Sequence, residues 1–187
     1  MKTAIKKWKI LATKVLLDHP EIKIVEDIVE LPNGKQSAYV KQSPSSVDAV
    51  LVIAINEDGE VLIQQEYSHP PAKVMWQLPG GSMNNNETII AAALRELSEE
   101  SGYTADSAKV IGSFYVHNRS TDKQQHIVVC TDLHKHKLTE DHDEFIDNFW
   151  ISREQLHTMI SDGEFDNINL LAGLNLWFHS ANKKKGV

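Results

Sequence analysis

Residues 81–103 read Gly81-Ser82-Met83-Asn84-Asn85-Asn86-Glu87-Thr88-Ile89-Ile90-Ala91-Ala92-Ala93-Leu94-Arg95-Glu96-Leu97-Ser98-Glu99-Glu100-Ser101-Gly102-Tyr103. From Thr88 to Ser101 the apolar residues Ile90, Ala93, Leu94 and Leu97 recur at the helical period, and Gly102 follows as a C-cap would. One amphipathic helix is therefore expected directly after a glycine loop. Beside its apolar stripe Glu96, Glu99 and Glu100 fall within roughly 100° of arc. Three carboxylates so close repel one another and destabilise the helix unless a cation neutralises them. A solvated acidic face, supported by Arg95 and Glu99 at i,i+4, is the ordinary reading of a Glu-rich helix, and spacing alone leaves it in place.

Working outward, Ile22 to Leu31 reads as a strand, Pro32-Asn33-Gly34 as a tight turn and Gln36 to Lys41 as the returning strand of a hairpin. Ala49 to Ile55 and Glu60 to Tyr67 flank Glu57-Asp58-Gly59, which predicts a second hairpin. Pro70, Pro71 and Pro79 mark irregular chain. After the helix, strands are expected at Val110 to Val116, Gln125 to Leu133 and Phe145 to Ile151. Two helices follow, at Arg153 to Ser161 and Asn167 to Ala181. The pattern is an α/β fold with a mixed, largely antiparallel sheet and helices packed on it. Residues 1–46 read as an N-terminal sheet region and 47–187 as the main domain.

The chain has 187 residues, a formal net charge of −7 and no basic stripe, which argues against a nucleic-acid polymer as partner. Lysines at 2, 6, 7 and 9 imitate a secretory leader, but Lys14 and Asp18 interrupt any apolar run, so neither secretion nor a membrane span is expected. A single cysteine, Cys130, lies in an apolar stretch; it cannot form an internal disulfide and points to a cytoplasmic setting. It reads as a small core hydrophobe rather than a nucleophile. The nine histidines lack a ligand spacing on a rigid element.

The stretch from Gly81 to Tyr103 resembles the Nudix box at every fixed position: Gly, five residues, Glu, seven residues, Arg-Glu-apolar, one residue, Glu-Glu, one residue, Gly-apolar. Chance produces such a match in a chain of this length with probability ~10⁻⁷. The resemblance implies a loop-helix-loop whose glutamates hold divalent cations against a substrate pyrophosphate. It implies Glu96, Glu99 and Glu100 as metal ligands, with the Gly81 carbonyl, and Glu87 and Arg95 as the pair that fixes the loop and orients Glu99. Hard carboxylate oxygens suit Mg²⁺, with Mn²⁺ as substitute.

Beyond the box the chain is similar to the ADP-ribose pyrophosphatase branch of that family. Ile24 to Lys41 resembles the N-terminal sheet exchanged in the branch's homodimers, and Gln77-Leu78-Pro79-Gly80-Gly81 resembles the loop entering the box. The branch's loop glutamate, which helps activate water, corresponds to Glu144, with Glu140 second. Gln65-Glu66-Tyr67-Ser68 stands where the branch reads Arg-Gln-Tyr-Arg, Gln77 replaces an acid, and Arg119 replaces a proline. Tyr67, Trp76 and Arg119 are candidate substrate contacts, although a surface loop accounts equally for Arg119 and core packing for the two aromatics. The substrate implied is a small nucleoside diphosphate derivative, foremost ADP-ribose. A nucleotide sugar, dinucleotide cofactor or dinucleoside polyphosphate are alternatives, as is a nucleotide-sensing Nudix domain without catalysis.

Overall fold

The computed structural model describes residues 6–20, 22–42, 47–136 and 145–180. In chain order the elements are β1 (Lys9–His19), β2 (Ile22–Glu30), β3 (Gln36–Gln42), β4 (Ala49–Ala54), β5 (Val61–Ser68), β6 (Lys73–Gln77), α1 (Ile89–Ser101), β7 (Tyr103–Tyr115), β8 (Gln124–Lys135), β9 (Ile146–Ile151), α2 (Arg153–Ser161) and α3 (Ile168–Ser180). They form two compact units: Met1–Ser46 with Tyr115–Lys123, and Val47–Phe114 with Gln124–Val187. Among the described residues no helix is long and apolar enough to cross a membrane.

The first unit is the antiparallel sheet β1-β2-β3. The turn at Gly34 forms as its residues predict, with the Gly34 N–H donating to the Leu31 carbonyl (2.9 Å) and φ at +81°. Val25 and Val29 are buried on β2 together with Asp27, whose carboxylate accepts from Lys41 (2.7 Å) and Thr13 (2.6 Å). These two partners hold its pKa below the usual carboxylate range. Within the lysine-bearing first stretch, Lys9–His19 is strand β1. Two register shifts along it, at Ile10/Ala12 and Val15/Leu17, break the strict alternation by which a strand is recognised. The loop returning to this unit is tied to β3 by bonds from the Gln42 N–H to the Ser120 carbonyl (2.7 Å) and from the Tyr39 hydroxyl to the Arg119 carbonyl (2.6 Å).

The second unit holds two three-stranded sheets, β4-β8-β7 and β6-β5-β9. β4 runs parallel to β8, and β5 is antiparallel to both of its neighbours. Alternate residues of β4 enter different cores. Val50, Val52 and Ala54 join Ala92, Ala93 and Leu97 of α1, while Leu51 and Ile53 join Leu156 of α2 and Leu170 and Leu174 of α3. Helices thus cover both faces, which is why β4 is apolar throughout.

The second hairpin expected from Asp58-Gly59 is corrected here. Its turn forms, with the Gly59 N–H bonded to the Asn56 carbonyl (3.0 Å), but only the bridge Ile55↔Val61 joins the two strands before they part into different sheets. The reason is that the edge of β4 is already taken. Residues 79–83 lie along it: the Val52 N–H donates to the Pro79 carbonyl (2.7 Å), the Val50 N–H to the Gly81 carbonyl (2.9 Å) and the Met83 N–H to the Asp48 carbonyl (3.0 Å). The loop entering α1 therefore sits where a partner strand would. β6, hidden in sequence behind Pro70-Pro71, pairs with β5 instead.

Candidate active site

Helix α1 starts at Thr88, whose hydroxyl accepts from the Ala91 N–H (3.2 Å), and stops at Gly102, which takes φ +70° and donates its N–H to the Ser98 carbonyl. Ala92, Ala93 and Leu97 pack it onto the sheet, and this sets which way its acidic side turns. Glu96 is buried, and Glu99 and Glu100 are half-buried. Such a face is not the freely solvated one that spacing alone permitted.

Arg95 organises the cluster. Its Nε donates to Glu87 Oε1 (3.0 Å) and its Nη2 to Glu87 Oε2 (3.0 Å), a two-pronged pair, while Nη2 also donates to the Ser82 carbonyl (3.1 Å). Nη1 bridges Glu96 Oε1 and Glu99 Oε2, both at 2.9 Å. Arg95 thereby holds the Glu87 carboxyl below its ordinary value, and the glutamates hold the guanidinium above its own. The Asn84 N–H donates to Glu87 (2.8 Å), closing the loop before the helix.

The glycine loop fits against these acids for a steric reason. A Cβ on Gly81 would lie 2.5–2.8 Å from the Glu96 carboxylate atoms, so only glycine lets the backbone and this acid meet as they do. Gly80, at φ +151°, would drive a Cβ to 2.1 Å from the Val50 carbonyl oxygen. Its N–H donates to Glu100 Oε2 (3.0 Å). Thus loop and helix meet through glycines on one side and carboxylates on the other.

Among the described residues no three His, Cys, Asp or Glu side chains stand grouped around one point as ligands of a metal ion. Arg95 Nη1 is bonded to both Glu96 and Glu99. The donor set nevertheless fits a hard divalent cation: three carboxylates of one helix face, beside a backbone cradle that a Cβ would fill. The Gly81 carbonyl, expected as a backbone ligand, spends one lone pair on the Val50 N–H.

The structure brings together Gly81, Glu87, Arg95, Glu96, Glu99 and Glu100. Trp76 is not brought to them. It packs edge-to-face on Phe149 (5.2 Å) and Phe165 (6.2 Å), against the core shared with α2 and α3. Tyr67 is exposed next to His69, and Arg119 belongs to the other unit. Glu140 and Glu144 lie outside the described residues. Burial pushes the Cys130 thiol up to about 12, so it is no nucleophile near neutral pH. Sequence reasoning missed Gly80 and Asn148, whose side-chain Nδ2 donates to the Glu100 carbonyl (3.0 Å). A signal existed only for their neighbour Gln64, an amide ending the apolar run Val61-Leu62-Ile63.

Residues 46–174 match the NUDIX domain family. The chain belongs to the Nudix family. This Nudix protein is 28% identical to an ADP-ribose pyrophosphatase of Bacillus subtilis over 158 residues, 83% of this chain and 84% of that one. It is also 28% identical to a methanol dehydrogenase activator of Bacillus methanolicus over 180 residues, covering 95% and 96% of the two chains. With the ADP compounds hydrolase NudE of Escherichia coli it shares 24% identity over 148 residues, 79% of each. A crystal structure of an ADP compounds hydrolase superposes over 100% of both chains with a TM-score of 0.90 at 20% identity, which shows the shared fold. The protein is a Nudix pyrophosphohydrolase with the Nudix α/β fold, most like the ADP-ribose pyrophosphatase branch.

Proposed function

We propose that the protein hydrolyses the pyrophosphate bond of ADP-ribose to AMP and ribose 5-phosphate, with Mg²⁺ as cofactor. The observation that carries this is the acidic face of α1, organised by Arg95 and set against Gly80 and Gly81. Glu96, Glu99 and Glu100, with the Gly81 carbonyl, would hold the cation. A divalent cation there supplies positive charge to the pyrophosphate and makes nearby water more acidic. Glu87 locks Arg95, and Arg95 orients Glu99. Glu144 is the residue we assign to take the proton from the attacking water.

The exposed apolar residues of β1, among them Ile10, Val15, Leu16 and Leu17, support a homodimer built on residues 1–46. One cysteine and no disulfide fit the cytoplasm.

The test is a panel of nucleoside diphosphate derivatives with Mg²⁺, read by phosphate release after phosphatase treatment. ADP-ribose should be cleaved fastest. The similarity to an enzyme named for ADP compounds at large favours a second reading in which another ADP derivative, such as a dinucleotide cofactor, is the substrate. A dinucleotide turned over faster than ADP-ribose selects that reading.

A further inference from the structure

We propose that Asn148, its amide oriented by Gln64, is a positioning residue for Glu100, acting from the sheet on the last turn of α1. This rests on the reading above that Glu100 belongs to the cation-holding face.

The last four carbonyls of a helix have no partner within it. In α1 the Ser98 carbonyl is met by the Gly102 N–H. The Glu100 carbonyl is met from another element, by Asn148 Nδ2 on β9 at 3.0 Å. Asn148 lies directly across from Gln64 in the β5–β9 register, and Gln64 Nε2 donates to Asn148 Oδ1 at 3.1 Å. An Asn amide has a donor end and an acceptor end. The Glu100 carbonyl can only accept, so the end of Asn148 facing it is the NH₂, and the Oδ1 end is left to Gln64. Gln64, by donating to that Oδ1, anchors Asn148 in the direction that reaches the Glu100 carbonyl.

Gln64 is a costly residue for its place. It is fully buried, following the buried Val61, Leu62 and Ile63 on β5, and its Oε1 has no hydrogen-bond partner among the described residues. A half-satisfied buried amide destabilises a core that an apolar side chain would fill without that penalty. What the amide supplies in exchange is the direction of Asn148. Glu100 is consequently held at two points: its carbonyl by the sheet, and its carboxylate by the Gly80 N–H. Rotation of the helix end, which carries Glu99 as well, is restrained from both sides. A displacement of about 1 Å at a reacting centre costs on the order of 10² in rate, so such restraint has catalytic weight.

The experiment compares wild type with Asn148→Asp, which still accepts from Gln64 but cannot donate to Glu100, and Gln64→Met, which removes the orienting donor at similar volume. Mn²⁺ binding is measured by calorimetry without substrate, alongside kcat, KM and Tm. Positioning predicts Mn²⁺ affinity about 10-fold weaker and kcat about 30- to 100-fold lower in Asn148→Asp, with KM within about 3-fold. Gln64→Met should lose about 5- to 10-fold in both affinity and kcat, and the double variant should be no worse than Asn148→Asp alone, because both act through one bond. Wild-type Mn²⁺ affinity and kcat in Gln64→Met would overturn the proposal, and this variant carries the test even if Asn148→Asp fails to fold. Additive losses, or a lowered Tm with unchanged affinity, would also overturn it by showing a purely structural role. A folded wild type that binds no Mn²⁺ removes the underlying reading itself and the proposal with it.

Discussion

Gly81→Ala separates the stability of this fold from its chemistry. The new Cβ would lie 2.5–2.8 Å from the Glu96 carboxylate atoms, whereas ordinary contact begins at 3.4 Å. Something must therefore move by about 0.6–0.9 Å, the difference between those two distances. The neighbour is the far end of a flexible side chain, not backbone, so the carboxylate swings away and folding loses only about 1 kcal/mol. Glu96, however, is one of the three proposed ligands, and it would be displaced from both Arg95 and the cation. A shift of that size should lower kcat on the order of 10² and raise the Mg²⁺ concentration for half-activity about 10-fold. Gly80→Ala provides the contrast. Its Cβ meets the Val50 carbonyl at 2.1 Å, at a φ of +151° that disfavours any side chain, so it should destabilise the protein outright by about 3 kcal/mol or more. The assays are urea denaturation and Mg²⁺-dependent rates on both variants. A well-folded Gly81→Ala protein with wild-type kcat and Mg²⁺ dependence would refute the assignment of Glu96 beside the glycine loop as a ligand.

Glu99→Gln or Glu100→Gln should each lower kcat by on the order of 10²–10⁴ while thermal denaturation shows the fold retained. Glu144→Gln should cost ~10²–10³ in kcat with little change in KM, and Glu140→Gln much less, which steady-state kinetics resolves. Arg95→Met breaks a largely buried, two-pronged pair with Glu87 and should cost about 2–3 kcal/mol near neutral pH in urea titrations. Because Arg95 depresses the folded-state pKa of Glu87, that contribution is complete above the ordinary glutamate value and is lost as pH falls through the depressed one; the difference between wild type and variant should therefore vanish in acid. Light scattering should give about twice the monomer mass, and Leu16→Glu on the exposed ribbon of β1 should shift it toward monomer.

Helix α1 and its acids were legible in sequence because everything that makes them is local. The 3.6-residue period, the Thr88 cap and the Gly102 stop lie within one stretch, and the spacing of Glu96, Glu99 and Glu100 fixes their common side wherever the helix packs. The turns at Gly34 and Gly59 were legible for the same reason. Strand pairing was not, because an edge accepts whichever segment reaches it. Residues 79–83 occupy the edge of β4, and this splits the hairpin that Asp58-Gly59 promised. Only the tertiary structure shows that Trp76 turns toward Phe149 and Phe165, that Arg95 joins three acids at once, and that Asn148, 48 residues from Glu100 along the chain, is aimed at it by Gln64. Sequence thus determined which residues carry charge and on which side of one helix. The long-range packing of sheet and loop decided which neighbours hold that charge in place, since such contacts depend on edges and volumes that no local period encodes.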